Sequence, residues 1–306
     1  MRAVFVDCTP ELSRVIERDK LPVPATITIN EGNPTETELV DLCRSAEVVL
    51  VEHTVLPPAV LDACPSLRAI VFMGTGAGTY IDVADAERRG ITVRTTPGYG
   101  DRSVAEHAFA LMLSAARGIA AMDRGIREGG WLPTGGVQLA GQKIAILGLG
   151  GIGRCMADLA LGFGMSVAAW NRTAREHASF VPNIEDALRD ASVVSLHLSL
   201  TPDTAGLLSR QRLALPRKGF ILVNTARAGL IDEPALWDLL VTRQIGHAAL
   251  DVFPDEPLPS GSPYRTLENA TLTAHAAYMT DAAYAELWRR TLHAYEVVGK
   301  TNSPSH

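Results

Sequence analysis

Three segments late in the chain, Asn224-Thr-Ala-Arg-Ala-Gly229, Leu250-Asp-Val-Phe-Pro-Asp-Glu-Pro257 and Thr273-Ala-His275, carry ionisable side chains in an order that suits reduction of a ketone. A hydride arriving at a carbonyl carbon leaves negative charge on the oxygen, so the reaction needs a proton donor and a nearby cation. His275 can donate and Arg227 can polarise. Glu256 near His275 would orient the ring and favour its charged form through an opposite charge and a hydrogen bond. Of the eight histidines, His53, His177, His247 and His293 sit in segments without partnered chemistry, and His306 is terminal. His107 follows Glu106 in a helix start and reads as packing or capping, whereas His197 ends a strand and could border a nicotinamide.

The hydride source is indicated upstream. The segment Ile144-Ala-Ile-Leu-Gly-Leu-Gly-Gly-Ile-Gly153 runs an apolar strand into glycines spaced as a dinucleotide-binding turn. Gly148 would make the tight turn, Gly150 would let the backbone approach a pyrophosphate, and Gly153 would let the next helix sit close to the strand. The amides around Leu149, Gly151 and Ile152, at the helix start, would face the phosphates. About twenty residues on, such folds usually place a carboxylate on the adenosine ribose. Here the strand ends Asn171-Arg172-Thr173 instead. Arg172 can pair with a 2′-phosphate, with hydrogen bonds from Asn171 and Thr173, which favours NADP(H) over NAD(H).

These groups need a fold that gathers strand ends. Short β-branched runs alternate with helical ones: Val4 to Asp7, Ile27 to Ile29, Val48 to Val51, Ala69 to Phe72 and Thr92 to Val93, then a second series from Lys143. That second series comprises Ile144 to Leu147, Val167 to Trp170, Val193 to Leu196, Ile221 to Asn224, Ala248 to Asp251 and Leu272 to Thr273. The pattern implies an α/β protein with parallel sheets and crossover helices. Thr35-Glu-Thr-Glu38 fits a capping box, and Asp232 is a good N-cap ahead of Pro234. A long helical stretch runs from about Arg102 to Arg127.

The bulk properties exclude several classes of protein. At 306 residues and 47% hydrophobic content the chain is long enough for two domains. The net charge of −6 comes with interspersed signs, so nucleic acid is not an expected partner. Cys8, Cys43, Cys64 and Cys155 show no metal or disulfide spacing and read as buried, reduced thiols of a cytoplasmic protein. No metal is expected. The most apolar helix, Ala108 to Ala116, is too short to cross a bilayer, and the N-terminus carries no signal-peptide pattern.

With these motifs in order, the chain resembles the D-isomer-specific 2-hydroxyacid dehydrogenases, and Ser103-Val-Ala-Glu-His107 and Leu200-Thr-Pro-Asp-Thr204 also look like family signatures. The resemblance implies a Rossmann-type dinucleotide domain, residues 99–279, inserted in a flavodoxin-like substrate domain, residues 1–98 and 280–306, with the active site in the cleft. It implies that Arg227 binds substrate carboxylate and carbonyl, that Glu256 and His275 form the acid/base pair, and that Asp251 lies near the nicotinamide. His197, Leu198, Thr204, Thr225 and Ala226 would complete the cofactor side. The loop Gly74-Thr75-Gly76-Ala77 looks like the substrate loop, whose amides receive the carboxylate.

The implied activity is NADP(H)-preferring interconversion of a small 2-keto acid, such as glyoxylate or hydroxypyruvate, and its D-2-hydroxy acid. A dinucleotide-sensing binding protein, an NAD-dependent phosphoglycerate-type enzyme and a phosphite dehydrogenase are the alternatives. The helix after Arg102 and the Trp131-Leu-Pro-Thr-Gly135 loop resemble the family's dimer-forming region, so a homodimer is expected.

Overall fold

The computed structural model describes residues 1–301; His306 lies outside them. The chain divides into two compact units, Met1–Gly100 with the chain from Met279 onward, and Asp101–Tyr278.

The first unit contains β1 (Ala3–Cys8), α1 (Pro10–Arg18), β2 (Ile27–Glu31), α2 (Glu36–Cys43), β3 (Val48–Val51), α3 (Pro58–Asp62), β4 (Ala69–Phe72), α4 (Val83–Arg88) and β5 (Thr92–Thr95). Its strands are parallel in the order β2-β1-β3-β4-β5, the flavodoxin-like arrangement. Every residue of β1, β3 and β4 is buried, as expected of parallel strands covered on both faces. Local chemistry starts the helices: Thr9 caps α1 ahead of Pro10, and Thr35 with Glu38 closes a full capping box on α2.

In the second unit lie α5 (Asp101–Arg117), α6 (Ile119–Arg127), β6 (Lys143–Leu147), α7 (Gly151–Gly162), β7 (Ser166–Trp170), α8 (Ile184–Leu188), β8 (Val193–Leu196), α9 (Arg210–Leu213), β9 (Phe220–Asn224), α10 (Glu233–Val241), β10 (Ile245–Leu250) and β11 (Ala270–Leu272). The order β11-β10-β9-β8-β6-β7 is parallel throughout. The order reverses between β6 and β8, and ligands of such sheets bind beyond the carboxyl ends at that switch point. Small residues let α5 and α7 cover one face closely: Ala105, Ala108, Ala157 and Ala160 are fully enclosed, with Ile146 and Val223 beneath. Leu196, Leu222, Leu236 and Leu240 fill the other face. A fully enclosed side chain of this size contributes about 1.5–3 kcal/mol.

α11 (Asp281–Thr301) belongs to the first unit. Its Trp288 is fully buried, lies over Phe5 with ring centroids 6.1 Å apart, and donates its indole N–H to Pro22 O at 2.9 Å.

Two sequence expectations change. The helical stretch from Arg102 to Arg127 is broken at Gly118, whose φ of +62° leaves the helical region, so α5 and α6 are separate. Cys155 is partly exposed, whereas Cys8, Cys43 and Cys64 are buried as expected. No described helix is long and apolar enough to cross a membrane.

Candidate active site

The glycine turn after β6 fits a dinucleotide. Gly148 has φ +111°, and a Cβ there would sit 2.3 Å from His197 O, so both conformation and space demand glycine. A Cβ on Gly153 would lie 1.8 Å from Gly148 O, which explains how α7 approaches the strand. Gly150 caps α7 without a side-chain hydrogen bond, and its missing Cβ faces open space. The first-turn amides at Gly151, Ile152 and Gly153 form a helix N-terminus of the kind that favours a pyrophosphate, and the Asp101 carboxylate packs against Gly151, where a Cβ would lie 1.6 Å from Oδ2.

The β7 end supports this turn. Asn171 Oδ1 accepts from Leu149 N at 3.1 Å, and its Nδ2 donates to Thr173 O at 2.9 Å. Asn171 thus braces the glycine turn. Arg172 is exposed and ion-paired with Asp203 at 2.9 Å, a partner the sequence reading did not identify. Thr204 commits its hydroxyl to its own loop, donating to Ser199 O at 2.7 Å and accepting from Thr201 N at 2.8 Å. Leu198 and Ala226 are half-buried and apolar at strand ends. Thr225 Oγ1 is enclosed without a chain partner. His197 shares a hydrogen bond with Ser195 Oγ at 2.8 Å, and its Nδ1 has no chain partner. Burial pushes this histidine down to about 4, so its ring is neutral.

Within the same unit Arg227, Glu256 and His275 come from the ends of β9, β10 and β11. Asn224 shapes the first turn: its Oδ1 accepts from Ala226 N and its Nδ2 donates to Arg227 O, both at 3.0 Å. Arg227 Nη1 donates to Ala226 O at 2.7 Å. Glu256 turns back to accept from Phe253 N at 2.8 Å through Oε1. Its Oε2 meets His275 Nδ1 at 2.5 Å, with both side chains about one-third exposed at 33% and 32%. Burial alone would raise the Glu256 pKa, but hydrogen bonds from His275 and Phe253 N, with the charges of His275 and Arg227, hold it below the usual carboxylate range. The carboxylate therefore stays charged, fixes one ring nitrogen and leaves Nε2 for a reacting oxygen.

His275 has φ +50°, unusual for a residue with a Cβ. Asp251 imposes this turn. Its backbone oxygen accepts from His275 N at 2.8 Å, Oδ1 accepts from Thr273 Oγ1 at 2.5 Å and Ala276 N at 3.0 Å, and Oδ2 accepts from Ala277 N at 3.0 Å. Burial would raise the Asp251 pKa, but hydrogen bonds from His107, Thr273 and the two amides hold it low. Asp251, which the resemblance puts near the nicotinamide, is fully enclosed and bonded to the histidine turn. Nothing in the local sequence announced this role, since the donors lie more than twenty residues away.

In the first unit, the loop after β4 presents amides. Gly74 N is taken by Phe72 O at 2.9 Å, and a Cβ on Gly74 would meet the Phe72 ring at 2.7 Å. Of the expected substrate residues, Thr75 and Gly76, together with Ala77, keep amides without a chain acceptor among the described residues, whereas Gly74 does not.

Comparison with known proteins places the chain among relatives. Residues 109–277 match the D-isomer specific 2-hydroxyacid dehydrogenase NAD binding domain. The chain is 33% identical to a glyoxylate reductase of Korarchaeum cryptofilum over 87% of its own length and 85% of that protein. It is 35% identical to D-3-phosphoglycerate dehydrogenase of Mycobacterium bovis over 82% of its length, but spans only 48% of that longer relative. A crystal structure of a Thermus thermophilus protein, TT0316, superposes with a TM-score of 0.85 at 30% identity, covering 100% of this chain and 99% of the other.

Proposed function

The chain belongs to the D-isomer specific 2-hydroxyacid dehydrogenase family, oxidoreductases acting on CH–OH groups, and from that premise we propose that it interconverts a small unphosphorylated 2-keto acid, glyoxylate or hydroxypyruvate in type, with its D-2-hydroxy acid. The observation carrying this reading is the Glu256–His275 pair at 2.5 Å, with the Arg227 charge acting on the same carboxylate.

The glycine turn, Thr225 and the β7 end would hold a dinucleotide, whose nicotinamide would supply or take the hydride. The protein's part is electrostatic and protonic. Arg227 holds the substrate carboxylate and polarises the carbonyl oxygen, on which charge develops. His275 delivers a proton to that oxygen from Nε2 and recovers it in the reverse direction, while Glu256 stabilises the charged ring. In the first unit, the amides of Thr75, Gly76 and Ala77 have no chain acceptor among the described residues, and donors of that kind suit an anion.

NADPH is the preferred cofactor in this reading, because Arg172 stands where an acid would otherwise repel a 2′-phosphate. A homodimer is also proposed. Ile119, Ile126, Trp131 and Leu132 leave an apolar surface on α6 and the loop after it, Trp131 being 82% exposed. Light scattering at a dimer mass supports it; a monomer rejects it.

A panel of 2-keto acids with NADPH and NADH, followed by nicotinamide absorbance, tests the whole reading. Turnover of glyoxylate or hydroxypyruvate, faster with NADPH, is expected. Dinucleotide binding without turnover of any 2-keto acid would replace the enzyme by a sensor.

A further inference from the structure

We propose that His107 on α5 is a positioning residue for His275, acting through Thr273 and Asp251. This inference rests on the reading of His275 as the acid/base of the site.

Asp251 accepts the Thr273 hydroxyl at 2.5 Å, and a threonine has a single hydroxyl hydrogen to give. The Thr273 oxygen therefore acts as acceptor toward His107 Nε2, 3.1 Å away, and Nε2 carries the proton. The same Nε2 lies 3.5 Å from Asp251 Oδ1. A directed chain results, from His107 N–H through the Thr273 hydroxyl to the Asp251 carboxylate.

The far end of that chain grips the residues around His275. Asp251 takes the side chain of Thr273 and the backbone amides of His275, Ala276 and Ala277, so it is bonded on both sides of the histidine. The grip must be firm, since His275 occupies the left-handed region with φ +50°. Ala105 and Ala108, both fully buried, let α5 come close enough for His107 to reach this network. Glu106 points elsewhere, pairing with Arg102 at 2.8 Å. Removing the His107 donor leaves the Thr273 oxygen under-satisfied and loosens the carboxylate that sets the turn. A small misplacement of an acid/base group is costly to the rate while leaving substrate and cofactor binding nearly intact.

The test compares His107→Leu, His107→Gln and Thr273→Val in the full-length protein. His107→Leu and Thr273→Val are expected to lower kcat about tenfold, with KM for the 2-keto acid and Kd for the dinucleotide within about twofold of wild type. His107→Gln, which offers an amide N–H at a similar reach, is expected to recover most of that loss. In nitrogen-15 correlation spectra, the His107 ring shows the Nε2–H tautomer, and His107→Leu moves or broadens the His275 ring signals.

Unchanged kcat in His107→Leu overturns the proposal. So does a loss shared equally by kcat, dinucleotide affinity and Tm that Gln does not rescue, because that is a packing effect. If the wild type reduces no 2-keto acid, the acid/base reading fails on its own, and unmoved His275 signals in His107→Leu then reject the positioning role separately.

Discussion

Asp251 and Glu256 leave the same strand five residues apart, yet their surroundings make them opposites. Asp251 has no exposed surface, and chain donors fill both of its oxygens. Glu256 is one-third exposed and spends one oxygen on a titratable ring. Both are held as carboxylates, but for different purposes. A charge enclosed by the backbone is scaffold. A charge shared with a partly exposed histidine can answer to chemistry, because its partner can lose and regain a proton.

The largest expected effect lies on the exposed side of this contrast. His275→Gln keeps a polar side chain but cannot shuttle a proton, and kcat for 2-keto acid reduction should fall about 100-fold or more, the usual scale for a positioned acid/base. Dinucleotide affinity should hold in the same variant. Near-wild-type turnover would remove the distinction between the two carboxylates. Arg227→Ala should raise KM as well as lower kcat, and steady-state kinetics on the two variants separates the roles.

On the enclosed side the loss should appear as stability. Asp251→Asn retains the shape but turns one acceptor into a donor facing N–H groups, at a cost of about 2–4 kcal/mol. For a cooperative unit of the size of Asp101–Tyr278 that lowers Tm by about 5–10 °C, measurable by calorimetry. Glu256→Gln, more exposed and singly bonded to a side chain, should shift Tm much less. Equal shifts would mean that both carboxylates are scaffold.

Acid titration gives a finer version of the same test. Both carboxylates have pKa values lowered in the folded state, so their stabilisation is complete above the unfolded values, about 3.9 for Asp and 4.3 for Glu. It is lost as pH falls through the lower folded values. The Tm gap between wild type and Asp251→Asn should therefore be full at neutral pH and close below about pH 4. A gap that persists unchanged at lower pH would show that packing, not charge, accounts for it.

How much of this was legible beforehand follows the range of each interaction. Local signals were readable: the strands, the Thr35 capping box, the Asp232 cap and the glycine turn all depend on residues within a few positions of one another. The order of Arg227, Glu256 and His275 was also legible, since strand ends in a parallel sheet converge on one edge. What escaped were pairings set by the fold. His107 meets Thr273 across 166 positions, and Arg172 meets Asp203 across 31. Neither segment advertises its partner. The break at Gly118 escaped for another reason: glycine is tolerated within helices, and only its positive φ shows that the helix ends there.

Arg172 extends the comparison to a charge that is paired but not committed. Its bond to Asp203 is 2.9 Å long, yet the two side chains are 59% and 75% exposed, and pairs of that kind are worth about 0–1 kcal/mol. A 2′-phosphate offers more charge and more acceptor oxygens, so the guanidinium can exchange partners at little cost. Arg172→Ala should accordingly weaken NADPH about tenfold while NADH changes little, as read by fluorescence titration of each cofactor. Asp203→Ala should tighten NADPH by no more than about threefold, since it removes only a weak competitor. Equal losses of NADPH and NADH in Arg172→Ala would put the arginine back among solvated surface residues, and a large gain in Asp203→Ala would mean that the ion pair is held as firmly as the enclosed carboxylate of Asp251.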